Sequence, residues 1–214
     1  MPDINFAQVF ISFAVLLFSL TVHETAHAWT ADRLGDPTAR RLGRVSLNPA
    51  VHADPIGTVL FPLVALITGV GIIGWAKPVP VQTRQLGHPR RDYFLVAAAG
   101  PASNLILAFA AATLLTTLPV SPAVGATTSS APVATILVTT MRLNVLLAVF
   151  NMVPIPPLDG GNVLAGLLPP PLASTYNQLR RYGFVLLYLL ILTPGFDILV
   201  VTPYRMILSW LPAK

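Results

Sequence analysis

The only glutamate in the chain and two of its four histidines fall within five consecutive positions, His23-Glu24-Thr25-Ala26-His27. On a helix, residues i and i+4 share a face, so both imidazoles can reach one metal ion. The glutamate beside the first histidine is then placed to take a proton from a water activated by that metal. Catalytic zinc takes three protein ligands, keeps a position for water and lowers the pKa of that water to about 7. Composition alone would produce this pattern ~0.0003 times in a chain of this length, so coincidence is set aside. The plainer alternative is a helix whose histidines only bond to neighbours. It leaves an ionisable glutamate among apolar residues without a reason, which is costly.

The chain has no cysteine, so a third ligand must be histidine or carboxylate. Among the carboxylates Asp159 has the best setting. It follows the proline break Pro154-Ile155-Pro156-Pro157-Leu158 after an apolar run, and Gly160-Gly161 permit close backbone approach. Irregular backbone at membrane depth is tolerated where it lines a protein cavity. An ordinary Asp-Gly turn at the water interface is the competing reading, and spacing alone leaves both open.

The elements that must position these groups are set by composition. Of 214 residues, 54% are hydrophobic and 10% charged, with mean hydropathy +0.72. An ordinary soluble domain carries about 25% charged residues, so this chain lacks the polar side chains to cover a soluble surface. Intrinsic disorder, which needs low hydrophobicity and high charge, is excluded for the same reason. The length suits one membrane-embedded domain, residues 1–214. The net charge of +5 comes from basic residues scattered between apolar segments. The positive-inside rule accounts for them, and no aromatic-basic pattern for nucleic acid is present.

Strong apolar spans are expected at Phe6–Leu34, Tyr93–Leu118 and Val133–Met152. No basic region precedes the first, so it reads as a membrane helix rather than a cleaved signal. Arg33, Arg40, Arg41 and Arg44 follow it and put its C-terminal end at the cytoplasm. His27 then lies roughly 10 Å below that surface, at ~1.5 Å per residue. Residues 56–73 are apolar but interrupted by Gly57, Pro62, Gly69 and Gly71. Prolines 78 and 80 make 74–82 extended rather than helical. Residues 182–192 and 198–211 are two tilted helices, or one span with an interfacial helix. The expected fold is therefore an all-α polytopic membrane protein. It is a transmembrane helix bundle with a short extended or β segment near 74–82 and a re-entrant apolar segment near 56–73. If Asp159 meets the same metal as His23 and His27, helix one and the helix before Asp159 end on one side, and residues 44 and 84 are expected on the same cytoplasmic face. Within the 74–82 segment Trp75–Val81 is expected to form an extended edge, its prolines blocking sheet pairing of its own, along which another unwound segment adds as a strand.

Four pieces together carry a resemblance: HETAH at 23–27, GPASN at 100–104, NMVPIPPLDGG at 151–161, and NPAVHADPIGT followed by GWAKPVPV. The chain resembles the site-2 protease family of intramembrane zinc metalloproteases, in its small bacterial form without a PDZ domain. The resemblance implies one zinc per chain held by His23, His27 and Asp159, with Glu24 as the base. It implies that Asn104 and Asn151 lie near the active site and position substrate or the oxyanion; the plainer use of each is an interhelical hydrogen bond. It implies a plasma-membrane enzyme of bacteria that hydrolyses membrane-anchored proteins in or near their transmembrane segments, in the lipid bilayer and without nucleic acid.

His52 and Asp54 form a His-x-Asp pair in a loop. They either cap the chain, gate the site or support its ligands from behind, or are solvated loop residues. His88 reads as a loop residue. Arg142 lies inside an apolar run and needs a partner. Phe10, Phe13, Leu17 and Leu20 follow helical spacing and face core or lipid. A rival of another class is a metal-binding membrane transporter or sensor, which would use the histidines reversibly and need no base at Glu24. A third is a structural partner without turnover.

Overall fold

The computed structural model describes residues 6–60, 76–118 and 131–212. Helix α1 runs Phe6–Arg33, α2 is the single turn Thr38–Arg41, α3 runs Pro89–Thr117 and α4 Ala131–Asn151. Four short helices follow: α5 Asp159–Leu167, α6 Pro170–Asn177, α7 Gly183–Ile191 and α8 Thr202–Trp210. Among the described residues three helices are long and apolar enough to cross a membrane, Phe6–Arg33, Pro89–Thr117 and Pro132–Asn151. They coincide with the three expected spans to within a turn or so. The protein is a helical membrane protein.

The three long helices pack against one another around α3. Its buried face is built mostly from small residues, Ala97, Gly100, Pro101, Asn104, Ala108, Ala111 and Ala112. Small side chains let neighbouring backbones approach closely, which is the main source of helix association where lipid is as apolar as leucine. A second apolar cluster, Ala108, Val145, Val149, Val153, Leu190 and Val200, fastens α7 and the turn before α8 to α4. At nine residues each, α7 and α8 reach ~14 Å, short of the ~30 Å hydrocarbon core.

Helix α1 ends in a Schellman motif. The Asp36 amide bonds to the Ala31 carbonyl and the Gly35 amide to the Asp32 carbonyl, with Gly35 at φ +108°. Only glycine adopts that backbone without strain. The turn throws the chain back, and the returning segment docks on it. Gly87 N–H bonds to Leu34 O, Gln82 N–H to the buried Asp36 carboxylate at 2.6 Å, and the Arg44 guanidinium to the carbonyls of Lys77 and Pro78. Residues 34–44 and 77–87 thus share one end of the bundle. Arg90 joins the same end to the C-terminus of α5 through the Leu168 carbonyl.

Several expectations are corrected. No strand occurs among the described residues. Residues 76–82 lack regular structure because Pro78 and Pro80 have no N–H, and three of the other amides are taken elsewhere. Lys77 N–H bonds to His52 O, Val79 N–H to Glu24 and Gln82 N–H to Asp36. Residues 56–60 belong to one wide helical turn, Pro55–Leu60, and the rest of the expected re-entrant segment lies outside the described residues. Asp159 follows the proline break as expected and opens helix α5, which sets aside the Asp-Gly turn. Arg142 is exposed, because the buried stripe of α4 runs through Met141, Asn144, Val145, Ala148 and Val149 on another face. His88 is the residue that precedes α3, and its amide bonds to Asp92.

Candidate metal centre

His23 and His27 are buried on the face of α1 that meets α3. Each ring is held from behind by an oxygen of α3. His27 Nδ1 lies 2.7 Å from the Val96 carbonyl, and His23 Nδ1 lies 2.6 Å from Asn104 Oδ1. A carbonyl can only accept, so Nδ1 of His27 carries the proton and Nε2 offers a lone pair. The two Nε2 atoms face each other at 3.0 Å.

Asp159 arrives from the first turn of α5. Gly160 makes this approach possible, since a Cβ there would lie 2.2 Å from the Met152 carbonyl oxygen. Asp159 Oδ2 stands 3.0 Å from His23 Nε2 and 3.3 Å from His27 Nε2. That oxygen is buried and, apart from the two rings, has no polar partner among the described residues. With both rings neutral, three electron-rich atoms converge here, an arrangement that a cation among them relieves. Tetrahedral ligands at ~2.0–2.1 Å from zinc are ~3.3–3.4 Å apart, close to the edges of this triangle. His23, His27 and Asp159 are a group that can hold a metal ion.

The space between the rings exists because residue 100 has no side chain. A Cβ on Gly100 would lie 2.4 Å from His27 Nε2 and 2.6 Å from His23 Nε2. Beside this cradle, Glu24 is half-buried, and its Oε2 accepts the Val79 N–H at 3.0 Å. One carboxylate oxygen is thus anchored by the 76–82 segment.

The other expected residues divide. Asn104 joins the centre through His23. Asn151 is half-buried at the end of α4, and its Nδ2 bonds back to Leu147 O at 3.0 Å. His52 is buried away from the metal ligands. Its Nε2 meets Ser46 O at 2.8 Å and Thr25 Oγ1 at 3.4 Å, so it braces a loop against the motif helix. Asp54 caps a turn, accepting the amides of Ile56 and Gly57. Sequence reasoning missed the Val96 carbonyl, Gly100 and Asn144. A backbone carbonyl leaves no signal, Gly100 lies within the quoted GPASN, and Asn144 is a lone amide in an apolar run two turns before Asn151.

The family model of peptidase family M50 matches residues 11–141 and 117–191. The chain belongs to peptidase family M50. It is a metalloprotease, and the site-2 protease resemblance is borne out. A Bacillus subtilis protein carrying the name zinc metalloprotease YwhC is 40% identical over 179 residues, 84% of this chain and 78% of that one. Proteins carrying the name zinc metalloprotease Rip2 are similar too. That of Mycolicibacterium smegmatis is 32% identical over 196 residues, 91% of this chain and 71% of its own. That of Mycobacterium tuberculosis strain H37Rv is 33% identical over 193 residues, 88% and 70% respectively. These names imply zinc for the family. No solved structure matches.

Proposed function

We propose that this M50 chain is an intramembrane zinc endopeptidase of the bacterial plasma membrane, a single domain that cleaves membrane-anchored proteins in or near their transmembrane segments. His23, His27 and Asp159 hold one zinc, and Glu24 is the general base. The observation that carries this reading is the convergence of three lone-pair atoms at 3.0–3.3 Å beside the only glutamate of the chain.

The bound zinc supplies Lewis acidity for the scissile carbonyl and an activated water near neutral pH. Glu24 takes the proton of the attacking water on the carboxylate oxygen that Val79 does not hold. It then delivers that proton to the leaving nitrogen as the C–N bond breaks. The substrate must lose helical structure locally, because a helical peptide bond is sterically covered. Asn104 has both amide hydrogens engaged, by Asn144 and by Ser19 O, which suits it to orient His23 rather than to bind an oxyanion. Among the described residues Asn151 engages one amide hydrogen, with Leu147 O, which leaves the other for substrate.

The end that gathers Arg33, Arg40, Arg41, Arg84, Arg90 and Arg91 is assigned to the cytoplasm by the positive-inside rule. The test is Glu24→Gln in a membrane-reconstituted cleavage assay. We expect stoichiometric zinc and a loss of turnover of about 10² to 10⁴, the usual weight of a general base. Zinc retained with turnover unchanged would overturn the role of Glu24. Zinc bound with no cleavage of any membrane substrate by the wild type would favour a transporter or sensor.

A further inference from the structure

Asn144 was not expected to act in the chemistry, yet it is fully buried at the junction of the three long helices. Its Nδ2 lies 2.8 Å from the Thr140 carbonyl and 2.8 Å from Ser19 Oγ. Its Oδ1 lies 2.7 Å from Nδ2 of Asn104, whose Oδ1 meets His23 Nδ1 at 2.6 Å. Ser19, Asn104 and Asn144 are all buried away from water. An amide can be turned over without changing its shape, so its direction has to be read from its partners.

Here one partner settles the direction. The Thr140 carbonyl accepts and cannot donate, so the Asn144 atom facing it is the nitrogen. The oxygen of Asn144 then faces Asn104, which must present its own nitrogen there. That leaves the Asn104 oxygen for His23, where it takes the Nδ1 proton. The imidazole is thereby left with its lone pair on Nε2, the atom pointing at Asp159 and His27. Every hydrogen bond in the chain runs one way, from the ligand ring to the backbone of α4.

We propose that Asn144 is a positioning residue of the metal centre: through Asn104 it fixes the tautomer and the orientation of His23. It touches neither metal nor substrate. This rests on the zinc reading given above. Partners that orient a ligating histidine are worth roughly 10- to 100-fold in metal affinity.

The experiment measures zinc affinity by chelator competition on the full chain in detergent, beside the melting temperature of the metal-free protein. The variants are Asn144→Leu, Asn144→Asp, Asn104→Leu, the Asn104→Leu/Asn144→Leu pair and His23→Ala. Asn144→Leu is expected to weaken zinc about 10-fold or more. Asn144→Asp, kept protonated by burial, donates its O–H to the Thr140 carbonyl and keeps an accepting oxygen toward Asn104, so it is expected to bind zinc more tightly than the leucine variant. The pair is expected to match Asn104→Leu alone, because Asn144 acts only through Asn104. A residue that merely fills space predicts the reverse order, leucine tolerated and a buried acid not. Wild-type zinc affinity in Asn144→Leu, or a further full loss in the pair, overturns the proposal. If the leucine variants do not fold, Asn144→Asp decides: affinity within about threefold of wild type supports the relay, and a 10-fold loss overturns it. His23→Ala separates the two levels. If it keeps zinc, the zinc reading itself fails, whatever Asn144 does.

Discussion

Replacing Gly100 by alanine adds a single methyl group between the two ligand rings. In an ordinary helix interior that change is stabilising by about 0.5–1 kcal/mol, because glycine is the poorer helix former. At this position the new carbon would stand 2.4 Å from His27 Nε2 and 2.6 Å from both Cε1 and Nε2 of His23. Non-bonded carbon contacts settle near ~3.5 Å, so both rings, or the whole of α3, must retreat by roughly 1 Å. A functional constellation tolerates about 0.5 Å. The rings cannot back away freely, since Val96 O and Asn104 Oδ1 hold them at 2.7 and 2.6 Å. We therefore expect Gly100→Ala to lose at least ~100-fold in zinc affinity, about 2.8 kcal/mol at 1.4 kcal/mol per decade. Its metal-free melting temperature should change little by comparison. The assay is chelator competition with metal content measured on the purified protein, and Ala102→Ser, on the exposed side of the same helix, is the control. A Gly100→Ala protein that binds one zinc with wild-type affinity refutes the cradle, and with it the position of the ion between the two rings.

The remaining expectations concern the ligands and the sidedness. His23→Ala and His27→Ala should remove zinc from the purified protein, and Asp159→Ala should weaken it strongly while leaving the spans intact by circular dichroism. Full zinc content and activity in Asp159→Ala would dismiss it as the third ligand. Because the chain has no native cysteine, Arg41→Cys and Arg84→Cys can be labelled singly with a membrane-impermeant reagent. Both positions are exposed at the same end of the bundle and should label only from the cytoplasmic face; labelling from opposite faces would contradict the packing of residues 34–44 on 77–87.

The parts of the site that obey a short-range period were legible in the sequence. His23 and His27 share a helical face because the spacing is four, and the long spans declare themselves through uninterrupted apolar composition. The remainder depends on partners remote in the chain. The 74–82 segment reads as an edge strand from its alternating prolines, and only the fold reveals that Asp36, His52 and Glu24 claim its amides. Arg142 reads as buried because burial was inferred from neighbours in sequence, whereas a helix in a bundle hides one face only. Asn144 and Asn151 carry the same residue type in the same helix. Nothing in the residue type separates the one wired to His23 from the one bonded back to its own helix.

The two ends of the ligand set are far apart in the order of synthesis. His23 and Glu24 enter the membrane with the first helix, whereas Asp159 follows only after α3 and α4, and Asn144 arrives with α4. On the zinc assignment proposed above, the early hairpin of α1 and α3 offers two histidines but no third ligand. A nascent chain therefore carries its base and two of its three metal ligands through insertion without being a protease. Competence comes in one step, when the last ligand closes the triangle. A protease made in this way is inert beside the unfolded membrane segments, its own included, that surround it during its manufacture.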